Sequence, residues 1–287
     1  MPDYAFDWVD AFTDTAFSGN GCAVVHGADD LTVAQRMALV AETSLTECAF
    51  LVRSDKADFG ARYYLRHREI AMAGHPTVAT VASLMARGEV GPGDGFTLEV
   101  GAGVLPIAIS HDGWIEMVQP APAFGPVHEA GEIAAIVGLG AEAIAAPPRI
   151  VSTGSAFCVT LLRDRAALEA AILDPAQLAE WNARHGHEPE TEPYLVCLDG
   201  AGGTLARLLL PPPQPAEDAF TGSATGCAGA YLWAGGHLDR PDYEARQGQL
   251  IGREGVARVR VEGPCDRITG VAVAGQGRVL MSGLLHL

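Results

Sequence analysis

A chain of 287 residues, 48% hydrophobic, can bury one large core or two medium ones, and two domains of roughly 100 to 200 residues fit the length better. Thirty-five acidic against nineteen basic residues give a formal net charge of -16 with no Lys/Arg run, which argues against nucleic acid or an anionic membrane as partner. No apolar run approaches the roughly 20 residues of a membrane span. The acidic, alternating start MPDYAFDWVD is unlike a signal peptide, and six scattered cysteines without metal spacing fit reduced thiols in a cytoplasmic protein.

In chain order, alternation over 4–12 predicts a strand, and Gly19-Asn20-Gly21 reads as a tight turn before the apolar run over 22–25. Thr32 caps a helix to about Ala41. A loop then leads into an apolar strand at Cys48, with Glu47 at the junction, where a carboxylate is unusual unless exposed, paired or functional. Strands over 59–65, 96–100, 104–109 and 114–118 complete a first half, and Arg66-His67-Arg68 is its densest basic spot. The proline-rich stretch 120–126 reads as a linker. The second half opens with a helix near 129–137, a strand leading to Ser152-Thr153-Gly154-Ser155, and another over 156–162. Helices near 165–172 and 175–185 follow, the latter expected at the surface. After strands over 194–198 and 204–210, a stiff Pro211-Pro212-Pro213 loop delivers Glu217 and Asp218, and four short strands end the chain.

Two stretches organise these elements. EIAMAGHPTVATVASLMARG over 69–88 has no polar face in its second half, the mark of a helix buried inside its domain. Gly74, His75, Pro76 and Thr77 open it, so its free N–H groups and positive dipole end lie at Gly74-His75, where a carboxylate would bind well. FTGSATGCAGAYLWAGG over 220–236 repeats the device, with Thr221, Gly222 and Ser223 at its start. The expected fold is therefore α+β, in two pseudo-symmetric halves, 1–119 and 120–287, each a curled β-sheet around one buried helix. The final strand is free to cross back to the first half, and both helix starts are expected to face a shared cleft.

Residues able to do chemistry gather at these starts: His75 on the first, Asp218, Thr221 and Ser223 on the second, and Glu47 as a further carboxylate. Gly19 to Gly21 leads into a strand and lacks a third glycine, so it is a poor dinucleotide motif; phosphate-loop and hydrolase-elbow motifs do not occur. No H-x-x-x-H spacing marks a metal. What remains is an acid–base site with no cofactor and no metal, acting on a small carboxylate. Each residue also has a structural alternative: His75 as a helix cap, Asp218 as a dipole partner, Glu47 in a rim salt bridge.

Five segments spread over the chain, DAFTDTAFSGNGCAVV, LTECAF, EIAMAGHPTVA, STGSAF and EDAFTGSATG, resemble the PhzF family of phenazine biosynthesis-like proteins, within the diaminopimelate epimerase-like superfamily. That resemblance implies two barrel-like halves, each around a central helix, an active site between them, and a homodimer. It also implies a cofactor-independent isomerase in which Glu47 moves a proton on a cyclic carboxylate. His75 and Asp218 fall on the family's catalytic histidine and aspartate, and Asn20, Gly74, Thr221, Gly222 and Ser223 on its substrate-binding positions. Leu65-Arg66-His67 replaces the usual F-T-P, and Ala219 a common proline, so the substrate does not carry over with the fold. The alternatives are an epimerase or racemase of the same fold, or a ligand-binding protein without turnover. The superfamily's two-base epimerases use a cysteine just before the glycine at each helix start; this chain has Ala73 and Thr221 there.

Overall fold

In the computed structural model, which describes residues 3–287, the alternating N-terminal stretch is β1 (Asp3–Ala11). It pairs antiparallel with β2 (Asn20–Val25), from Phe6↔Val25 to Ala11↔Asn20. Asn20 and Gly21 therefore lie within a strand and not in the tight turn their glycines suggested. The chain reverses earlier, through Phe12, Phe17 and Gly19, all at positive φ. At Gly19 a Cβ would lie 2.1 Å from the Ala11 carbonyl oxygen, so only glycine closes this loop.

α1 (Val33–Thr43) opens with a capping box: Thr32 accepts from the Gln35 N–H, and the Gln35 side chain accepts from the Thr32 N–H. β3 (Cys48–Val52) runs parallel to β2, and β4 (Phe59–Tyr64) antiparallel to β3. The short β5 (Glu69–Ile70) follows, then α2 (Gly74–Ala86), β6 (Gly95–Val100) parallel to β4, β7 (Gly103–Ile109) and β8 (Ile115–Pro120). Strand parity sorts the layers. Cys48 and Phe50 pack outward with Val40, Ala23, Val25 and Tyr64 under α1, while Ala49 and Leu51 turn to the other face, where α2 lies.

α2 is buried at every residue from Gly74 to Leu84 and packs on β1, β2, β3 and the C-terminal β18 (Gly277–His286). β18 can lie this close because Gly277 has no side chain; a Cβ there would sit 2.4 Å from that of Ala82. Its pairing with β1, from Asp3↔His286 to Ala11↔Gly277, returns the C-terminus to the first unit. At the far end of α2, Asp7 accepts from Arg87 Nε (2.7 Å) and Nη2 (3.0 Å) and from the Ser83 hydroxyl (2.6 Å), fixing the last helical turn to β1.

The second unit repeats this plan. Residues 120–126, expected as a linker, instead lead into β9 (Ala123–Val127), paired antiparallel with β10 (Arg149–Ser152). Pro126 is tolerated because the register shifts beside it, where no ladder N–H is required. Between these strands lies α3 (Ala130–Ile136). β11 (Ala156–Leu161), α4 (Arg165–Ala170), α5 (Pro175–His185), β12 (Pro193–Leu198), β13 (Thr204–Leu209), β14 (Glu217–Asp218), α6 (Gly222–Ala234), β15 (Asp242–Gln247), β16 (Gly255–Glu262) and β17 (Gly270–Gly275) follow. β12 is parallel to β11, β13 antiparallel to β12, β14 antiparallel to β13 and β15 parallel to β13, the order of β2 to β6 over again. α6 packs on β10, β11, β12 and β16. Outside the strands, Trp181 and Leu178 of α5 join Ile133, Leu168, Leu195 and Cys197, so α5 buries one face instead of lying wholly at the surface.

Unit 1 thus comprises the chain to Val118 with Ala274–Leu287, and unit 2 comprises Gln119–Val273. The expected division at 119–120 is off by one residue. The final strand does cross back: β18 pairs with β1, and the second unit ends at Val273. Among the described residues no helix is long and apolar enough to cross a membrane.

Candidate functional site

Unit 1 brings Asn20, Glu47, Gly74 and His75 together. Ala73, in extended conformation, precedes Gly74, and no side chain caps the helix start. Thr77 stabilises the first turn from within: its hydroxyl donates to the Ala73 carbonyl (2.7 Å) and meets the Tyr63 hydroxyl at 2.9 Å. The N–H groups ahead of it have no side-chain cap.

The His75 ring is 6% exposed, and burial pulls its pKa down to about 3, so it is neutral at pH 7. The Asn20 Nδ2 lies 3.3 Å from His75 Nδ1. An amide NH2 only donates, so the neutral ring accepts with Nδ1 and carries its proton on Nε2, which has no hydrogen-bond partner among the described residues. Glu47 Oε2 stands 3.8 Å from Nδ1. With the ring neutral this approach is not an ion pair. The Glu47 charge is felt nearby: after burial, it helps hold up the pKa values of Cys22, Cys48 and Tyr63.

Unit 2 brings Asp218, Thr221, Gly222 and Ser223 together around the start of α6, again with no side-chain cap. The Thr221 hydroxyl donates to Asp218 Oδ2 (2.6 Å). Gln247, fully buried, ties the turn: its amide donates to the Asp218 carbonyl (2.9 Å) and the Thr221 hydroxyl (3.2 Å), and its oxygen accepts from the Thr221 N–H and the Tyr194 hydroxyl, both at 3.1 Å. Tyr194 also meets Thr225 at 3.2 Å, and Thr225 donates to the Thr221 carbonyl (3.0 Å). This is the Tyr63–Thr77–Ala73 arrangement repeated, with the tyrosine delivered from the neighbouring strand. Ala49 faces Tyr63 in the first unit, and Tyr194 faces Leu208 in the second. Ser223 is half-buried.

Several residues at these sites were not singled out from the sequence. Gln119 donates to the Gly222 carbonyl (2.9 Å) and accepts from Thr153. It reaches the helix only because residue 226 is glycine; a Cβ there would lie 2.0 Å from Gln119 Oε1. Gly226→Ala is expected to lower stability by about 1–3 kcal/mol, the scale of overpacking, measured by urea unfolding. An unchanged midpoint would show that Gln119 is not held there.

Glu192 is a second residue that sequence reasoning missed. Ala23 is opposite Cys48 in unit 1 and Cys158 opposite Pro193 in unit 2, so Glu192 occupies the register position that Glu47 holds. By parity it shares a face with Tyr194. Burial, with the Glu190 charge adding, lifts its carboxyl pKa to about 7. Matching E-C-A against E-P-Y before the equivalent strands was the available signal.

The thiols offer no second base. Cys227 lies 3.4 Å from both the Thr153 hydroxyl and the Ser155 carbonyl, and burial pushes its pKa up to about 11. Ala73 and Thr221 occupy the positions before the helix glycines.

The profile of the family described as phenazine biosynthesis-like protein, PhzC-PhzF, matches residues 9–283. A trans-2,3-dihydro-3-hydroxyanthranilate isomerase of Pseudomonas aeruginosa is 29% identical over 288 residues, covering 97% of this chain and 98% of that protein. The structure is similar to that of a PhzF-family phenazine biosynthesis protein of Bacillus anthracis, with a TM-score of 0.86 and 25% identity over the whole of both chains. A hydroxyproline epimerase of Agrobacterium vitis shares the fold at a TM-score of 0.66 and 14% identity, over 99% of this chain and 93% of that one.

Proposed function

We propose, from the premise that this chain belongs to the PhzC-PhzF family of phenazine biosynthesis-like proteins, that it is a cofactor-independent isomerase moving a proton on a small cyclic carboxylate. The observation that carries this reading is the Glu47 carboxylate set 3.8 Å from a neutral, buried His75 at an uncapped helix start. The substrate class follows the dihydro-hydroxyanthranilate in the name of the Pseudomonas aeruginosa relative.

In this mechanism Glu47 takes a proton from a ring carbon and becomes a carboxylic acid. The electron pair shifts into the conjugated system, and Glu47 returns the proton at another carbon, so atoms and charge balance without a second reagent. His75, neutral with its proton on Nε2, donates a hydrogen bond to charge that develops on the substrate, and Asn20 fixes the ring orientation for it. Asp218 fixes Thr221. Gly74 in unit 1, and Gly222 and Ser223 in unit 2, each offer N–H or hydroxyl donors of the kind that bind a carboxylate. The protein acts as a cytoplasmic homodimer in this reading.

An epimerase reading would need a thiol on each face of the substrate, and Ala73, Thr221 and the buried Cys227 do not supply them. The test is α-proton exchange. In deuterated buffer, diaminopimelate, proline and hydroxyproline are expected to keep their α-protons and optical rotation, and alkylation of accessible thiols to leave isomerase turnover intact. Steady α-deuterium incorporation with loss of optical rotation would replace the isomerase by an epimerase.

A further inference from the structure

His128, just ahead of α3, Glu132 in its first turn, and His185, the last residue of α5, converge at one corner of unit 2. They offer ligand atoms that all lie within 4.8 Å of one another. A fourth side chain, His187, stands beside them, with ring centroids 5.4 Å from His128 and 5.7 Å from His185. We propose that this corner binds a zinc-type divalent transition-metal ion through His128, His185 and Glu132, with His187 as the adjacent imidazole.

Three features point to a ligand and not to aromatic packing alone. His128 is 6% exposed, and its Nε2 is buried with no hydrogen-bond partner among the described residues, which is costly unless something fills the position. Its backbone is fixed by a 2.8 Å bond from its N–H to the Pro148 carbonyl, so the ring is held in place.

The tautomer of His187 is set. Asn182 Oδ1 accepts from the Thr191 N–H at 2.9 Å, which identifies that atom as the oxygen, and it lies 3.0 Å from His187 Nδ1. His187 therefore donates through Nδ1 and keeps its lone pair on Nε2, as a metal-binding histidine oriented by a carbonyl does.

The charge balance also suits a cation. Arg184 is already committed to two carboxylates, Glu132 Oε1 and Glu180 Oε1, each at 2.8 Å. Glu132 Oε2 is turned to His185 Nε2 at 3.4 Å. His185 ends α5, where the helix dipole is negative. Trp181, with ring centroids 4.4 Å from His187 and 4.8 Å from His128, supplies the apolar wall behind them. Tetrahedral bonds of about 2.0–2.1 Å place ligand atoms roughly 3.4 Å apart. Closing from 4.8 Å therefore needs only a side-chain shift by Glu132 and His185, whose side chains are 28% and 31% exposed. Imidazole with one carboxylate is a donor set suited to zinc, copper or nickel and poor for calcium or magnesium.

The site carries none of the residues assigned to the isomerase reaction, so its test is independent of that assignment. Full-length protein bearing Cys265→Ser, to remove the one exposed thiol, is dialysed against zinc, and bound metal, thermal midpoint and turnover are read together. One zinc per chain with a raised midpoint is expected. In His185→Ala and in Glu132→Gln, both partly exposed and compatible with folding, affinity is expected to fall by about tenfold or more with turnover unchanged. Cobalt in place of zinc is expected to show a visible spectrum without thiolate charge transfer. Failure to retain zinc, affinity unaltered in His185→Ala, or a thiolate band would each overturn the site.

Discussion

Glu47→Gln is expected to lower turnover by about 100-fold or more, the usual scale for removing an acid–base group, while fold and substrate binding persist. The substitution keeps shape and polarity but leaves a group that cannot take a proton. The size of the effect follows from the neighbours. His75, with a pKa near 3, accepts no proton at neutral pH, and Cys22 and Cys48 are held as thiols by burial. Among the described residues around Glu47 no other group is poised to replace it as base. Single replacements of His75 or Asp218 should each cost less. Steady-state kinetics with a separate binding titration check this: turnover close to wild type in Glu47→Gln would move the base elsewhere, and lost binding would make Glu47 an anchor.

The second large effect concerns stability. The Asp7 side chain is 2% exposed and takes two hydrogen bonds from Arg87. Burial alone would raise its pKa; hydrogen bonds from Arg87, Ser282 and Ser83 outweigh that and bring it to about 2. Arg87→Ala leaves the carboxylate buried without its cation and should cost about 3 kcal/mol, the lower end for breaking a buried pair, because Ser83 and Ser282 still donate. The sign with pH is defined. In the wild type the depressed pKa contributes stability that is complete above the unfolded value of 3.8 and is lost as pH falls through about 2. In Arg87→Ala burial is less opposed, so the carboxyl pKa rises and the destabilisation shrinks on acidification. Urea unfolding at pH 7 and near pH 4 reads this as a narrowing gap between the two proteins; a gap constant with pH would show that the cost is packing and not charge.

Much of the fold was legible because it rests on local signals. Both central helices lack a polar face, and that alone placed α2 and α6 inside their strands. Glu47 stood out because a carboxylate sits where a loop meets an apolar strand, and in the structure its Oε2 lies 3.8 Å from His75 Nδ1. The failures have a common physical source: they depend on partners distant in sequence. Pro126 disguised β9, since a shifted register excuses its missing N–H. Gln119 and Gln247, both buried, were not singled out, because a buried glutamine differs from an exposed one only in the donors and acceptors tertiary pairing brings to it. The His128–Glu132–His185 corner depended on α3 meeting the end of α5.

The most direct test of the central claim is proton NMR of the wild-type protein with its proposed cyclic carboxylate substrate in deuterated buffer. The predicted result is catalytic conversion to the double-bond isomer, with the shuttled proton, or deuterium to the extent that the protonated Glu47 exchanges with solvent, delivered only at the carbon that gains the proton. Saturable binding with the substrate returned unchanged would contradict the account and make the protein a ligand-binding member of its family.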